Sequence, residues 1–559
     1  MTTVSDHSST QPQADLPPAK KSLGPGLLKA AGLIAAVTIL SKLLGMLRDI
    51  GIAGIYGAST VSDAYFAAFQ IPSFAIVLLG GLGGPFHTAT VAIFSRLQIE
   101  TEAGSAPTEK AKQLASTLIT ITSLVFLLIS ILVALFADPI MAAIQHGASP
   151  DKIALSAQQL RIMSPILLIG GVVGIFYGLL NLYHVFFWPS LSPAGLSIVI
   201  LAALFLFPNL DKTGQVLAWA TLGGSALQWL MQVPEYKRIG FDLFPNLGRP
   251  NFKWRSPELI QWVGILLPAL LSTTIGQLNV YVDMFFTSYL PVGGWTAVIL
   301  GNRLIQFPIG VLQTALLVPI FPRFSRAAAS GDTESIRKDF RTGVVSLWLI
   351  SIPMLVLLLM DTEPIIRLIF QHGSFDASGT KMVSQAMIGL AFQMLPYFAR
   401  DSITRVFFAY HDSKTPLIVA LIAIGFNAFF DWLFAGYMGL GVMGITLSTT
   451  AVTIINMTLL SILSRKHIPH LGFRKMLAPL VKLSASGTLM ALAMWFVQPA
   501  LFRLLTALPK PWSLYAVLTV SASVGLAVYL AATLLLRVSE AEYLQTRIKT
   551  LLNRKKSVS

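Results

Sequence analysis

Cysteine is absent from all 559 residues, which excludes disulfides, thiolate metal centres and cysteine nucleophiles. Charge is scarce: 12% of the residues are Asp, Glu, Lys or Arg, where a soluble protein carries about a quarter. A chain this short of charge needs an apolar solvent. Acidic residues are the scarcer kind, 25 against 40 Lys and Arg, for a net charge of +15. No GxxxxGK[ST] phosphate loop occurs, so ATP is not expected to drive the work, and no HExxH metal motif occurs. The eight histidines are scattered, mostly in tails and loops. His87 and His184 fall in or beside apolar stretches, where a lone histidine reads as structural. The first 22 residues lack the apolar core and small-residue cleavage site of a signal peptide. Their Ser, Thr, Gln and Pro content, ending in Lys20 and Lys21, predicts a disordered cytoplasmic tail.

What the chain does have is apolar length. Hydrophobic residues make up 54% and the mean hydropathy is +0.71. A membrane-spanning helix needs about 20 mostly apolar residues, and about fourteen stretches qualify. They run over 27–52, 63–94, 113–137, 159–183, 189–207, 214–234, 259–285, 295–322, 342–360, 382–409, 415–436, 441–463, 476–500 and 512–536. Spans two, four and ten hold polar residues that weaken the pattern. The fold class expected is an all-α polytopic membrane protein.

The basic residues alternate with these spans. Arg96, Lys110 and Lys112 follow span two; Lys237, Arg238, Arg249, Lys253 and Arg255 follow span six. Arg323, Arg326, Arg337, Lys338 and Arg341 follow span eight, Lys414 follows span ten, and Arg465, Lys466, Arg474 and Lys475 follow span twelve. The C-terminal tail is basic too. The intervening loops hold only Lys152, Lys212, Arg367, Lys381, Arg503 and Lys510. Excess Lys and Arg mark the cytoplasmic side, so both termini are expected there. The positive charge then reports topology, and nucleic acid is not an expected partner.

The chain repeats itself at an offset of about 230 residues. Gln70-Ile71-Pro72 and Phe94-Ser95-Arg96 in span two match Gln306-Phe307-Pro308 and Phe324-Ser325-Arg326 around span eight. Asn181-Leu182-Tyr183-His184 before span five matches Phe407 to His411 before span eleven. The expected organisation is a tail (1–26), an N-lobe of spans one to six (27–240), a linker (241–256) and a C-lobe of spans seven to twelve (257–467). Two further helices (468–540) and a basic tail (541–559) follow. Paired repeats place a substrate site at their interface in many transporters.

Ionisable side chains inside a span cost roughly 2.5–3.5 kcal/mol each and usually face a cavity or a partner. Span one ends Ser41-Lys42-Leu43-Leu44-Gly45-Met46-Leu47-Arg48-Asp49. At about 100° per residue Asp49 shares the Lys42 face and Arg48 is offset; snorkelling at the rim is the alternative. Asp63 opens span two, which later reads Gly80-Gly81-Leu82-Gly83-Gly84-Pro85, a run that bends the helix, allows close packing, or both. Arg303 stands among apolar neighbours in span eight and is expected to face a cavity. Asp401 and Arg405 in span ten, four apart, form a structural pair. Asp283 in span seven, with Asn427 and Asp431 on one face of span eleven, gives two carboxylates and an amide, and Thr446 in span twelve could add a hydroxyl. Hard cations prefer such all-oxygen ligands; a proton-carrying acid or a structural hydrogen-bond pair are the other readings.

These motifs carry a resemblance. Ser41 to Asp49, Gly57-Ala58, Ser62-Asp63-Ala64-Tyr65-Phe66 and Phe69-Gln70-Ile71-Pro72 resemble the N-terminal signature of the MurJ/MviN lipid II flippases. Asn302-Arg303-Leu304 with Phe307 to Leu312 resembles that family's span-eight motif. Arg405 to Asp412 with Lys414-Thr415-Pro416 resembles its span-ten exit. The order holds from about residue 27 to 540.

The resemblance implies the fold of the MOP flippase superfamily: two six-helix lobes around a central cavity, plus two C-terminal helices forming a lipid groove. It implies a bacterial cytoplasmic-membrane transporter, working as a single chain without a cofactor, with lipid II as cargo, an undecaprenyl-pyrophosphate-linked disaccharide-pentapeptide. It makes Lys42, Arg48, Asp63 and Arg303 the substrate-binding residues, and Asp283, Asn427, Asp431 and Thr446 a sodium site, as in some relatives. Lys42 stands where many relatives have arginine, which keeps the charge and loses the bidentate fork. Ile76 takes the place of the family's span-two arginine, and the acidic position after it falls in Gly80-Gly81. Export of another polyprenyl-linked oligosaccharide, small-molecule antiport, and a non-transporting scaffold for envelope assembly remain as alternatives.

Overall fold

The computed structural model describes residues 25–81, 84–99, 106–207, 213–242, 256–313, 317, 320–504, 509 and 512–538. The expected tails, most of the linker and the middle of the glycine run lie outside them. Among the described residues every regular segment is helical and no strand occurs. Nine helices are long and apolar enough to cross a membrane, and two bent pairs raise that to eleven. Their outward faces are greasy: Leu128, Leu135, Phe205 and Phe496 are 58–85% exposed. At about 25 cal/mol per Å² such a belt is tolerable only against lipid, and the chain is a multi-pass membrane protein.

All fourteen expected stretches carry helix, and three of them stand outside the count of eleven. The first helix (Pro25–Tyr56) holds Lys42, Arg48 and Asp49 in its second half. Span two is broken into Thr60–Ser73, a π-helical segment Phe74–Leu79, and Pro85–Ile99. Gln215–Leu230 has only 16 residues. The other two polar spans are also broken: Pro150–Met163 meets Ile166–Leu182 at 43°, and Ala377–Ala391 meets Met394–Ala409 at 46°. In span two both readings of the glycines hold. The helix is interrupted, and Gly80 packs so closely that a Cβ there would stand 2.7 Å from the Gly170 carbonyl oxygen.

The element order recurs. Glu109–Leu135, Ala137–Ile144, the 43° bent pair and Phe187–Leu206 are matched in turn by Thr333–Met360, Thr362–Phe370, the 46° bent pair and Lys414–Asp431. The caps recur as well: Thr108 and Asp332 open one matched pair of helices, and Ser149 and Asp376 open the next. Each cap accepts from a backbone N–H and stabilises its helix by about 1 kcal/mol. His184 and His411, matched in sequence, both take the left-handed backbone, at φ 62° and 58°.

Three apolar cores follow. One packs the first half around Phe86, Phe176 and Tyr236; one packs the second half around Phe340, Phe407 and Tyr529. The third joins the halves, from Tyr65 and Met163 across to Trp295, Phe375 and Ile445. The boundary expected at 257 is crossed: Leu259, Trp262 and Leu266, early in the Pro257–Thr287 helix, pack into the first half's core. Trp262 Nε1 donates to Thr90 Oγ1 at 3.3 Å, and Lys110 pairs with Glu258 at 2.8 Å. The helix leaves the linker against one half and reaches the other further along. The two C-terminal helices, Phe473–Leu504 and Trp512–Leu535, pack on each other and on Thr333–Met360, where the Tyr529 hydroxyl donates to the Leu349 carbonyl at 2.8 Å.

Candidate functional site

A polar seam runs where the halves meet. In the first helix Arg48 donates to one Asp49 carboxylate oxygen, from Nε at 2.9 Å and from an η nitrogen at 2.7 Å. The other Asp49 oxygen pairs across the halves with Arg303 Nε at 3.4 Å. Asp49 is thus shared by two guanidiniums, and the sequence reading had left it out of the candidate site. Its neighbours differ in access: the Arg48 side chain is 11% exposed and that of Arg303 53%. Arg48 is enclosed with its counter-ion, and Arg303 is the more accessible of the two guanidiniums. One turn or two along, Lys42 crosses the same interface, its Nζ 3.0 Å from where a Cβ on Gly310 would stand. Lys42 and Asp49 face the same helix, as their seven-residue spacing predicts. Ile76, which the resemblance sets at the place of an arginine, is buried in the core that joins the halves and adds no charge.

Asp63 is not part of this seam in the conformation observed. It is fully buried. Its Oδ2 accepts from Lys152 Nζ at 2.7 Å and from the Gly293 N–H at 2.9 Å. Its Oδ1 accepts from the Thr296 N–H at 2.8 Å and hydroxyl at 2.7 Å. Lys152 belongs to the first half, and Gly293 and Thr296 to the start of Gly294–Leu312 in the second. A carboxylate so saturated has no lone pair to spare in this conformation, and its bonds tie the first half to the second. Lys152, read only as a sparse loop charge, is its partner.

Other bonds close the same face. Gly147 N–H donates to Ser288 Oγ at 2.9 Å, His146 Nδ1 meets the Tyr289 hydroxyl at 3.0 Å, and the Ser374 N–H donates to the Gly54 carbonyl at 2.7 Å. The backbones approach too closely for side chains. A Cβ on Gly373 would lie 2.2 Å from the Gly54 carbonyl oxygen, and one on Gly293, at φ 91°, 2.7 Å from that of Ala58. This is the face of the sparsely charged loops, opposite the Lys- and Arg-rich one.

The oxygen cluster forms, with one substitution. Asn427 Nδ2 donates to Asp283 Oδ1 at 2.7 Å and to Asp431 Oδ2 at 3.2 Å, a single amide wedged between two carboxylates. Asp431 Oδ1 and Asn279 Oδ1 are buried without a hydrogen-bond partner. Thr446, expected here, points elsewhere: its hydroxyl bonds the Val442 and Met443 carbonyls of its own helix and packs on Gly389. Ser448 takes its place, donating to the Asn427 carbonyl at 3.2 Å beside Asp431. Two residues along a helix is a rotation of about 200°, so only one of the two could face the acids. Among the described residues no three His, Asp or Glu side chains converge as metal ligands. Orphaned oxygens beside paired carboxylates suit a hard monovalent or divalent cation better than an imidazole-seeking metal.

Two helical halves related by repeat, joined on one face and with buried charge between them, have the build of a membrane transporter. Solved structures of that class share the fold. A lipid II flippase MurJ in an inward closed conformation aligns over 90% of this chain and 98% of its own, with a TM-score of 0.71 at 23% identity. An inward-facing multidrug resistance MATE family transporter of the MOP superfamily aligns over 79% of this chain and 99% of its own, with a TM-score of 0.61 at 14% identity.

The sequence comparisons narrow this further. The family model "Lipid II flippase MurJ" matches residues 52–507. A Synechocystis protein named "Probable lipid II flippase MurJ" is 30% identical, covering 93% of this chain and 97% of its own. The lipid II flippase MurJ of Burkholderia cenocepacia is 27% identical, covering 79% of this chain and 84% of its own. The chain belongs to the MurJ lipid II flippase family.

Proposed function

We propose that this protein carries lipid II from the cytoplasmic to the outer leaflet of a bacterial inner membrane by alternating access of its two halves. The basic loops and both termini then lie in the cytoplasm, and one chain is the working unit. The observation that carries the reading is the Arg48–Asp49–Arg303 bridge between the halves. A diphosphate cannot enter hydrocarbon unaided. Presented to this bridge, it competes with Asp49 for Arg303 first, the accessible guanidinium, with Lys42 adding a point charge nearby. Arg303 lies on the second half and Arg48 and Lys42 on the first, so an anion that gathers them alters the contact that holds the halves in register. The polyprenyl tail stays in the bilayer beside the C-terminal helix pair.

The latch at Asp63 keeps the outer face shut while the headgroup loads. Opening that face strips Asp63 of the Gly293 and Thr296 donors and leaves it the Lys152 ion pair, so the N-lobe charge stays compensated in both states. Membrane potential or an ion gradient would drive the cycle. Sodium fits the cluster of Asp283, Asn427 and Asp431, with Ser448 in the place expected of Thr446. The ion would supply positive charge between the two carboxylates, where the neutral Asn427 amide supplies only N–H donors in the structure.

The experiment is a reconstitution. Purified protein in liposomes holding lipid II in one leaflet is assayed for its appearance in the other. Wild type should equilibrate the pool and Arg303→Gln should not. A scaffold would leave lipid II where it began in both.

A further inference from the structure

The Gly294–Leu312 helix and its cap residue present Arg303, Gln306, Gly310 and Gln313 on one face, by i, i+3, i+7 and i+10 spacing. Arg303 holds one end of the seam and Lys42 crosses at Gly310. At the far end Gln313 Nε2 donates to Asp401 Oδ2 at 3.2 Å, and the same oxygen accepts from Arg405 Nε at 3.0 Å. Asp401 is therefore spent on Arg405. Its neighbour Arg400 has a different setting: its guanidinium carbon lies 4.7 Å over the centre of the Tyr397 ring.

The Met394–Ala409 helix buries Phe398, Ala399, Ser402, Ile403, Val406 and Phe407. Tyr397, Arg400, Asp401, Thr404 and Arg405 occupy its other, half-buried side. Two guanidiniums and a carboxylate on one face would cost roughly 2.5–3.5 kcal/mol apiece against hydrocarbon. The bridge to Gln313 ties that face to the polar seam instead. Ten residues of helix separate Arg303 from Gln313, about 15 Å at 1.5 Å per residue. The seam thus has two cationic ends. At one, Arg48, Arg303 and Lys42 outweigh Asp49 by two charges. At the other, Arg400 and Arg405 outweigh Asp401 by one.

We propose that Arg400, laid on the ring of Tyr397, is a second anion subsite that takes a carboxylate of the cargo's peptide while the Arg303 end takes its diphosphate. The proposal rests on the lipid II reading above and assigns the other end of the same cargo. One surplus charge suits a carboxylate and two suit a diphosphate. The aromatic face orients the guanidinium and leaves its N–H edge for a bidentate acceptor. One sugar ring carries both the diphosphate and the peptide, and that ring with the length of the peptide spans the distance between the two ends.

The test is binding to the full chain in nanodiscs, with three ligands: polyprenyl-diphosphate disaccharide bearing the pentapeptide, the same with its peptide carboxylates amidated, and the peptide-free disaccharide. Arg400→Gln should weaken the first about tenfold or more, the loss of a charge-assisted hydrogen bond, and leave the other two at wild-type affinity. Arg400→Lys should recover part of the loss, and Tyr397→Leu should weaken the same ligand alone. Arg303→Gln should weaken all three. Equal weakening of every ligand by Arg400→Gln, or no effect on any, would overturn the subsite. Wild-type protein that binds none of the three would overturn the lipid II reading itself.

Discussion

Asp49 holds two arginines of unequal exposure, and removing each partner should cost differently. Asp49→Asn strands Arg48 in a buried site, a loss of about 3–5 kcal/mol for a broken buried pair. Arg303→Gln leaves Asp49 still paired with Arg48 and should cost little stability. Melting curves of the two variants test this; equal destabilisation would contradict the shared-counter-ion geometry. Asp63→Asn likewise strands Lys152, which is 5% exposed, and weakens the acceptor for Thr296. The outer face should open. Because the chain has no native cysteine, a lone Ser288→Cys on that face reports cleanly: impermeant maleimide should label it faster in the Asp63→Asn background, and unchanged labelling would sink the latch. For the oxygen cluster, sodium should raise the melting temperature of wild type and not of Asp431→Asn, while Thr446→Val should keep the response. These residues were legible as charges out of place in a span. Their partners were not: Lys152 reads in the sequence as a loop charge and stands 89 residues from Asp63, and Ser448 rather than Thr446 follows from a helix rotation that no local pattern fixes.

Elements are held by polar staples at their ends. Asp412, in the loop before Lys414–Asp431, accepts from the Thr415 N–H at 3.1 Å, the Thr415 hydroxyl at 2.8 Å and His467 Nε2 at 3.1 Å, and pairs with Lys466. Burial pushes its carboxyl up, but the bonds from Lys466, His467 and Thr415 outweigh that and hold it well below the usual carboxylate range. A depressed carboxyl stabilises the fold above its unfolded value of about 4 and loses that contribution as pH falls through the folded one. Asp412→Asn should therefore melt lower than wild type at neutral pH, with the gap closing as pH drops below about 4; a gap independent of pH would contradict it. Tyr529→Phe removes the bond to Leu349 and should cost about 0.5–1.5 kcal/mol, read as a lower melting temperature. At this scale hydropathy located the long helices but not short ones such as Ala137–Ile144 and Thr362–Phe370, and the polar residues that blurred spans two, four and ten marked three that break. The crossing of Pro257–Thr287 from one half's core to the other's was not legible, because apolar periodicity names a buried face without naming its neighbour.

The whole molecule is two repeated halves with an interface that is locked at one face and charged within. The repeat was visible in the sequence as short motifs at a constant offset, and the structure turns those motifs into matched bends, caps and left-handed histidines. The seam's inventory was visible in part: Asp49 stands next to Arg48 and Asp401 four residues from Arg405, but the reach of Asp49 to Arg303 across the halves has no local signal. An uncharged Ile76 leaves the Arg48–Asp49–Arg303 bridge intact, and transport should not need a cation at that position. The most direct measurement is a depletion rescue: a bacterium deprived of its own lipid II flippase expresses this chain, and lipid II reaching the outer leaflet is assayed. Growth and outer-leaflet lipid II restored by wild type and lost with Arg303→Gln, at equal membrane abundance, is the predicted result. A stably inserted wild-type protein that restores neither would contradict the assignment of lipid II as its cargo.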